Sequence, residues 1–139
     1  MLMSERNPKY WFLDSSVALR IVVGQNESAE RWFARCLRNG EPLVASKLLE
    51  LEVTRTLRRD GADLARGEAV VGEVALLAVD DELVAEAAAI EPVIKSLDAL
   101  HLATAQRLGV EHVTIVTHDK TMSRVAGELG FEVFDPVER

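Results

Sequence analysis

The chain has 139 residues, with 16 Lys and Arg against 23 Asp and Glu, for a net charge of −7. That length suits one domain, read here as spanning residues 1–139, and 48% hydrophobic with 28% charged residues excludes wholesale disorder. The acidic balance argues against a uniformly basic coat for nucleic acid, but leaves room for a local basic face or a site built of carboxylates. The single Cys36 excludes an internal disulfide framework and a Cys-rich zinc site, and fits a reduced, cytoplasmic compartment. The opening segment carries Glu5, Arg6 and Lys9 before any apolar run, unlike a signal peptide, and no stretch approaches the roughly 18 apolar residues of a membrane span.

Tyr10-Trp11-Phe12-Leu13 reads as a short buried strand ending at Asp14, which is placed to cap a helix from Ser15 to about Val23. After a break at Gly24-Gln25-Asn26, Glu27–Arg38 is predicted as a helix with Ala29, Trp32, Phe33, Cys36 and Leu37 on one stripe. Pro42–Ala45 is a second strand. Ser46 is read as the cap of a long helix to about Arg59. Asp63–Leu77 is predicted as one helix rich in Ala and Val, Asp80 or Asp81 caps another through Ile90, and Ser96–Leu108 is helical up to Gly109. Val113–Val116 is a β-branched strand followed by Thr117-His118-Asp119, Thr121–Leu129 is helical, and Phe131–Phe134 is a last strand. Short apolar strands alternating with helices predict an α/β fold with a mostly parallel sheet covered on both faces. Such folds place their ligand sites at the carboxyl ends of the strands.

Four acids occupy informative positions. Asp14 directly follows the first strand, and Asp119 follows the strand Val113–Val116; each is also suited to capping a helix. Glu52 falls on the inward stripe of its helix with Leu48, Leu49, Val53, Thr56 and Leu57, where an isolated carboxylate is costly without a cation, a cleft or a partner Arg. Asp98 lies in the first turn of Ser96–Leu108, where it favours the helix dipole or reaches across the same rim. Oxygen-only ligands suit Mg²⁺ or Mn²⁺, ions that keep water available as a nucleophile for a phosphodiester.

At these residues the sequence resembles the PIN-domain family, and within it the VapC-type ribonuclease toxins of toxin–antitoxin systems. The matching pieces are Phe12-Leu13-Asp14-Ser15-Ser16-Val17-Ala18-Leu19, then Ala45-Ser46 through Glu52-Val53-Thr54-Arg55-Thr56-Leu57, then Leu97-Asp98-Ala99-Leu100-His101-Leu102-Ala103-Thr104-Ala105, and finally Val116-Thr117-His118-Asp119. The resemblance implies a three-layer α/β/α sandwich, RNA cleavage, and a metal site formed by Asp14, Glu52, Asp98 and Asp119, supported by Ser16 and Thr117. It also implies Mg²⁺ or Mn²⁺ as cofactor, a homodimer, and a cognate antitoxin. His118 departs from the aromatic or other residue found in many relatives.

His101, three residues after Asp98, is read as a hydrogen-bonded core residue or an added metal ligand. His118 is read as a loop residue or an aid to protonation or phosphate contact, and His112 is assigned nothing. The stretch Arg31–Arg59 holds seven Lys and Arg against three Glu, a net of +4 that leaves −11 for the rest. Its Arg31, Arg35, Arg38, Arg55, Arg58 and Arg59 are candidates for contacts with RNA or with an acidic antitoxin, or form solvated helix faces. Trp32 and Phe33 are read as core, at least one of them, or as part of a groove for a partner helix. With no Ser-His-Asp or Cys-His arrangement readable, the leading expectation is a metal-dependent endoribonuclease acting through activated water on RNA. The alternatives weighed are a non-catalytic RNA- or protein-binding module of the same fold, and a phosphoacceptor receiver domain, which lacks its acid pair here because Ser15 follows Asp14.

Overall fold

A computed structural model describes residues 9–137, so the charged start at Glu5 and Arg6 lies outside the described residues. Five short strands, β1 (Tyr10–Leu13), β2 (Leu43–Ser46), β3 (Ala75–Leu77), β4 (Val113–Val116) and β5 (Glu132–Phe134), form one sheet in the order β3-β2-β1-β4-β5. Every pairing is parallel, so the sheet is wholly parallel where a mostly parallel one was expected. The helices are α1 (Ser15–Val23), α2 (Glu27–Arg38), α3 (Leu48–Arg59), α4 (Leu64–Val71), α5 (Asp81–Ala88), α6 (Ser96–Leu108) and α7 (Lys120–Glu128).

Strand alternation divides the core into two apolar layers. Leu13, Leu43, Ala45 and Val116 face one side, packed with Val17 and Ile21 of α1, Trp32 and Phe33 of α2, and Leu49, Val53 and Leu57 of α3. Phe12, Val44, Val113 and Ile115 face the other, against Leu102 and Ala105 of α6 and Met122 and Val125 of α7. The result is the expected α/β/α sandwich. Trp32 and Phe33 are both core, so neither lines an open groove. Trp32 meets Trp11 edge-on, with ring centroids 5.6 Å apart, and the Trp11 indole N–H donates to Glu41 at 2.8 Å. Among the described residues no helix is long and apolar enough to cross a membrane.

The single helix expected over Asp63–Leu77 is two elements. Helix α4 stops at Val71, and after Gly72 and Glu73 the residues Ala75, Leu76 and Leu77 pair with Val44, Ala45 and Ser46 as strand β3. The apolar run Val74–Val79 is six residues long, too short for a period to separate a buried strand from a buried helix, and sheet pairing decides the conformation of Ala75–Leu77. Helix α3 begins at Leu48, with Ser46 ending β2 and its Oγ accepting the Leu48 N–H at 3.1 Å. Close approach of α3 and α4 requires Gly67, because a Cβ there would lie 2.6 Å from the Leu57 Cδ1.

The chain adds β2 and β3 on one side of β1, then returns to add β4 and β5 on the other. The strand order therefore reverses beside β1, which creates a crevice at the carboxyl ends of β1 and β4. Asp14 and Asp119 stand at that crevice.

Candidate active site

Asp14 occupies the residue position before α1, but its side chain makes no capping bond there. The carboxylate turns instead toward the β4–α7 loop and is 3% exposed. Ser16 Oγ and Thr117 Oγ1 each donate to Asp14 Oδ2 at 2.7 Å. Each hydroxyl in turn accepts a backbone N–H, Ser16 from His118 at 2.9 Å and Thr117 from Asp119 at 3.0 Å. Two parallel relays thus run from loop amides through hydroxyls to one carboxylate oxygen. Oδ1 of Asp14 makes no hydrogen bond among the described residues.

Glu52 projects from α3, as its place on the inward stripe predicts. Its Oε1 accepts from Nε2 of His101 on α6 at 2.7 Å, and the Glu52 side chain is 21% exposed while that of His101 is 1% exposed. His101 Nδ1 is buried with no hydrogen-bond partner. Burial is the largest influence on the imidazole and pulls its pKa down. The hydrogen bond to Glu52 and the charges of Glu52, Asp14 and Asp98 outweigh it, so the net shift is upward. His101 is therefore the hydrogen-bonded core residue of the two readings, and its partner is a site acid.

Asp119 lies outside the end of β4 and caps α7, its Oδ1 accepting the Met122 N–H at 2.8 Å. Asp98 sits half-buried in the first turn of α6. Its pKa is raised, first by burial and then by the negative charge of Asp14; His101 opposes this, and Asp119 and Glu52 add to it. Asp14, Glu52 and Asp119, distant from Asp98 along the sequence, are therefore near enough in space to act on it.

Three of these acids are each anchored through one oxygen: Asp14 by hydroxyls, Glu52 by an imidazole and Asp119 by a helix amide. Their other oxygens make no hydrogen bond among the described residues. Such an all-carboxylate set has the chemistry of a hard divalent cation site, and its mutual repulsion is what a cation relieves. In their present rotamers, no three His, Cys, Asp or Glu side chains among the described residues converge closely enough to hold one ion.

The six arginines stand on α2 and α3, which both pack on α1, and all six are exposed. Arg31 pairs with Glu27 at 2.7 Å and Arg59 with Asp60 at 2.9 Å, whereas Arg35, Arg38, Arg55 and Arg58 make no ion pair among the described residues. One further acid escaped the sequence reading. Asp135 directly follows β5, as Asp14 follows β1, and its Oδ2 accepts from His118 Nδ1 at 2.9 Å. The strand-end rule that singled out Asp14 and Asp119 applies equally to Asp135.

Comparison with known proteins decides the family. The sequence model described as PIN domain matches residues 11–128, a span that contains all four acids. The chain belongs to the PIN-domain family. Among PIN proteins it is 37% identical over 127 residues to "Ribonuclease VapC46" of Mycobacterium tuberculosis (strain ATCC 25618 / H37Rv), covering 90% of this chain and 96% of that one. It is 26% identical over 130 residues to "Ribonuclease VapC47" of M. tuberculosis (strain CDC 1551 / Oshkosh), with the same coverage of 90% and 96%. These similarities place it with the VapC-type PIN domains. Its fold matches that of VapBC2 from Rickettsia felis, solved bound to a promoter DNA fragment, at TM-score 0.70 and 10% identity, covering 91% of this chain and 98% of that chain. It also matches FitAB bound to a DNA fragment at TM-score 0.67 and 18% identity, covering 93% and 98%.

Proposed function

We propose that this PIN domain is an endoribonuclease toxin of a toxin–antitoxin pair, hydrolysing RNA phosphodiesters with Mg²⁺ or Mn²⁺ held by Asp14, Glu52, Asp98 and Asp119. The observation that carries the reading is the placing of Asp14, Glu52 and Asp119 around the half-buried Asp98 at the strand-switch crevice, three of them anchored through one oxygen with the other left open. The relatives named as ribonucleases support the substrate class, and the toxin–antitoxin complexes among the structural neighbours support the partner.

When bound, the cation supplies positive charge to the phosphate oxygens and acidifies the attacking water. The chain's own residues do the positioning. Ser16 and Thr117 fix Asp14 Oδ2, so that Oδ1 faces a single task. His101 holds Glu52 from the protein interior. The capping bond of Asp119 orients its carboxylate at the start of α7. The reading requires the free oxygens to close in on the ion. A set of carboxylates is also suited to receive a cationic side chain of an antitoxin, which would inhibit by occupying the cation's place. A homodimer and a cytoplasmic location complete the proposal.

The test is cleavage of RNA by the purified chain with and without Mg²⁺, with Asp14→Asn and Asp98→Asn as controls. Cation-dependent cleavage lost in both variants is expected. Cleavage equal in both variants to that of the native chain would overturn the assignment, and RNA binding with no cleavage at all would favour the non-catalytic module.

A further inference from the structure

Beside the carboxylates lies a cavity of about 430 Å³, lined by Thr117, His118, Asp119, Lys120, Ser123, Arg124 and Asp135. Its size is in the range of small-ligand sites, roughly 300–1,000 Å³. It shares Thr117 and Asp119 with the acid site, so an occupant lies beside the acids. Its chemistry is different, for here cationic and hydroxyl side chains gather at the first turns of α7. Lys120 makes no ion pair among the described residues, and Ser123 makes no side-chain hydrogen bond among them. Arg124 is held by Glu128 at 2.6 Å, which keeps the guanidinium on the exposed face of α7. The acid lining the far side is already committed: Asp135 Oδ2 accepts from His118 Nδ1 at 2.9 Å, and its Oδ1 accepts the Val137 N–H at 2.9 Å. That bond fixes the imidazole with Nδ1 as donor and leaves Nε2 without a partner among the described residues.

An anion with several acceptor oxygens matches Lys120, Arg124, His118 and Ser123. The acid site holds carboxylates alone, whereas this cavity sets Lys120 and Arg124 against Asp119 and Asp135, so a cation on the acids would offset Asp119 and leave the cavity to favour an anion. We infer that the cavity is a backbone-phosphate subsite, taking the phosphodiester next to the one that is cut and so setting how the RNA strand crosses the carboxylates. This rests on the ribonuclease reading above. It assigns these residues to positioning and affinity, because contacts to phosphate orient a strand without reading its bases.

The experiment uses two probes on the native chain. Adenosine 3′,5′-bisphosphate carries two phosphates one nucleoside apart and no internucleotide bond, so its binding is read whether or not the chain cuts RNA. With Mg²⁺ present to offset the carboxylates, calorimetry and amide NMR should show it binding more tightly than adenosine 5′-monophosphate and perturbing the amides of residues 118–124. The Lys120→Gln/Arg124→Gln double variant should lose that preference. The same variant should lower kcat/KM for RNA through KM, by about tenfold for each charge-assisted hydrogen bond removed. It should also reduce the slope of log KM against log salt, by about one for each phosphate no longer neutralised, and Lys120→Arg should restore most of the affinity. Equal binding of the two nucleotides, or an unchanged KM and salt slope in the double variant, overturns the subsite. Selective bisphosphate binding at residues 118–124 by a chain that cuts no RNA would uphold the subsite and overturn the ribonuclease reading.

Discussion

Thr117→Val replaces a hydroxyl with a methyl group of nearly the same shape, so its effect isolates the relay to Asp14. The native hydroxyl is 1% exposed, donates to Asp14 Oδ2 at 2.7 Å and accepts the Asp119 N–H at 3.0 Å. A hydrogen bond to a charged group contributes about 1.5–3 kcal/mol, and a partly buried amide left without an acceptor costs about 1 kcal/mol more. Ser16 still donates to the same oxygen, which limits the damage to the carboxylate. The expected loss is therefore about 2–4 kcal/mol. Thr117→Ser keeps the hydroxyl and removes one buried methyl group, a loss of about 0.8 kcal/mol. Urea unfolding with linear extrapolation measures both, and the slope against urea should not change. Should Val and Ser prove equally stable, the relay contributes nothing and the account of how Asp14 is held is wrong. RNA cleavage should fall further in the Val variant than in the Ser variant, because only Val removes the Thr117 bond to Asp14.

Asp98→Asn should abolish cleavage and yet raise the midpoint of urea unfolding at neutral pH. A carboxyl whose pKa is raised by burial and by neighbouring acids destabilises the fold once the pH exceeds its unfolded value, and Asn removes that charge. His101→Leu should destabilise the chain by removing the bond to Glu52, while His101→Gln, which can still donate, should recover part of both stability and activity; equal behaviour of the two would deny His101 a role in holding Glu52. Gly67→Ala should lower stability by about 1–3 kcal/mol through overpacking against Leu57, measured by thermal or urea unfolding. Arg107 holds the pKa values of Asp80 and Glu86 below the usual carboxylate range through side-chain hydrogen bonds. Their stabilising effect should be present above the unfolded carboxyl values near pH 4 and vanish as the pH falls through the lowered ones. Arg107→Gln should flatten that part of the pH–stability curve. Burial pushes the Cys36 thiol up to about 11, so a thiol reagent should label the native chain slowly at pH near 8 and rapidly in urea.

The layered α/β fold and the acids were legible because they obey local rules. Strands β1 and β4 are apolar runs that end on acids, and Glu52 interrupts an otherwise apolar stripe on α3. Strand β3 was hidden because the six apolar residues Val74–Val79 follow an Ala- and Val-rich helix and fit a buried helix as well as a strand, and pairing with β2 decides between them. The Glu52–His101 bond spans 49 residues, and each partner alone fits a bland role. Asp14 illustrates a subtler limit. Sequence placed it correctly before a helix, and on local grounds a cap was the natural use for its side chain. Two hydroxyls, one of them contributed by a loop beyond α6, compete successfully for it.

The two relays to Asp14 also bear on timing. They join groups 103 and 102 residues apart, from Asp14 to Thr117 and from Ser16 to the His118 amide. A ribosome adding residues one after another, from the N-terminus, therefore delivers Asp14 and Glu52 long before, and Asp98 shortly before, the β4–α7 loop that completes the hold on the first of them. Until that loop arrives, the nascent chain holds the acids without the scaffold that aligns them. On the proposed function, a harmful nuclease stays inert throughout its own synthesis, and an antitoxin needs to be present only when the last quarter of the described chain emerges.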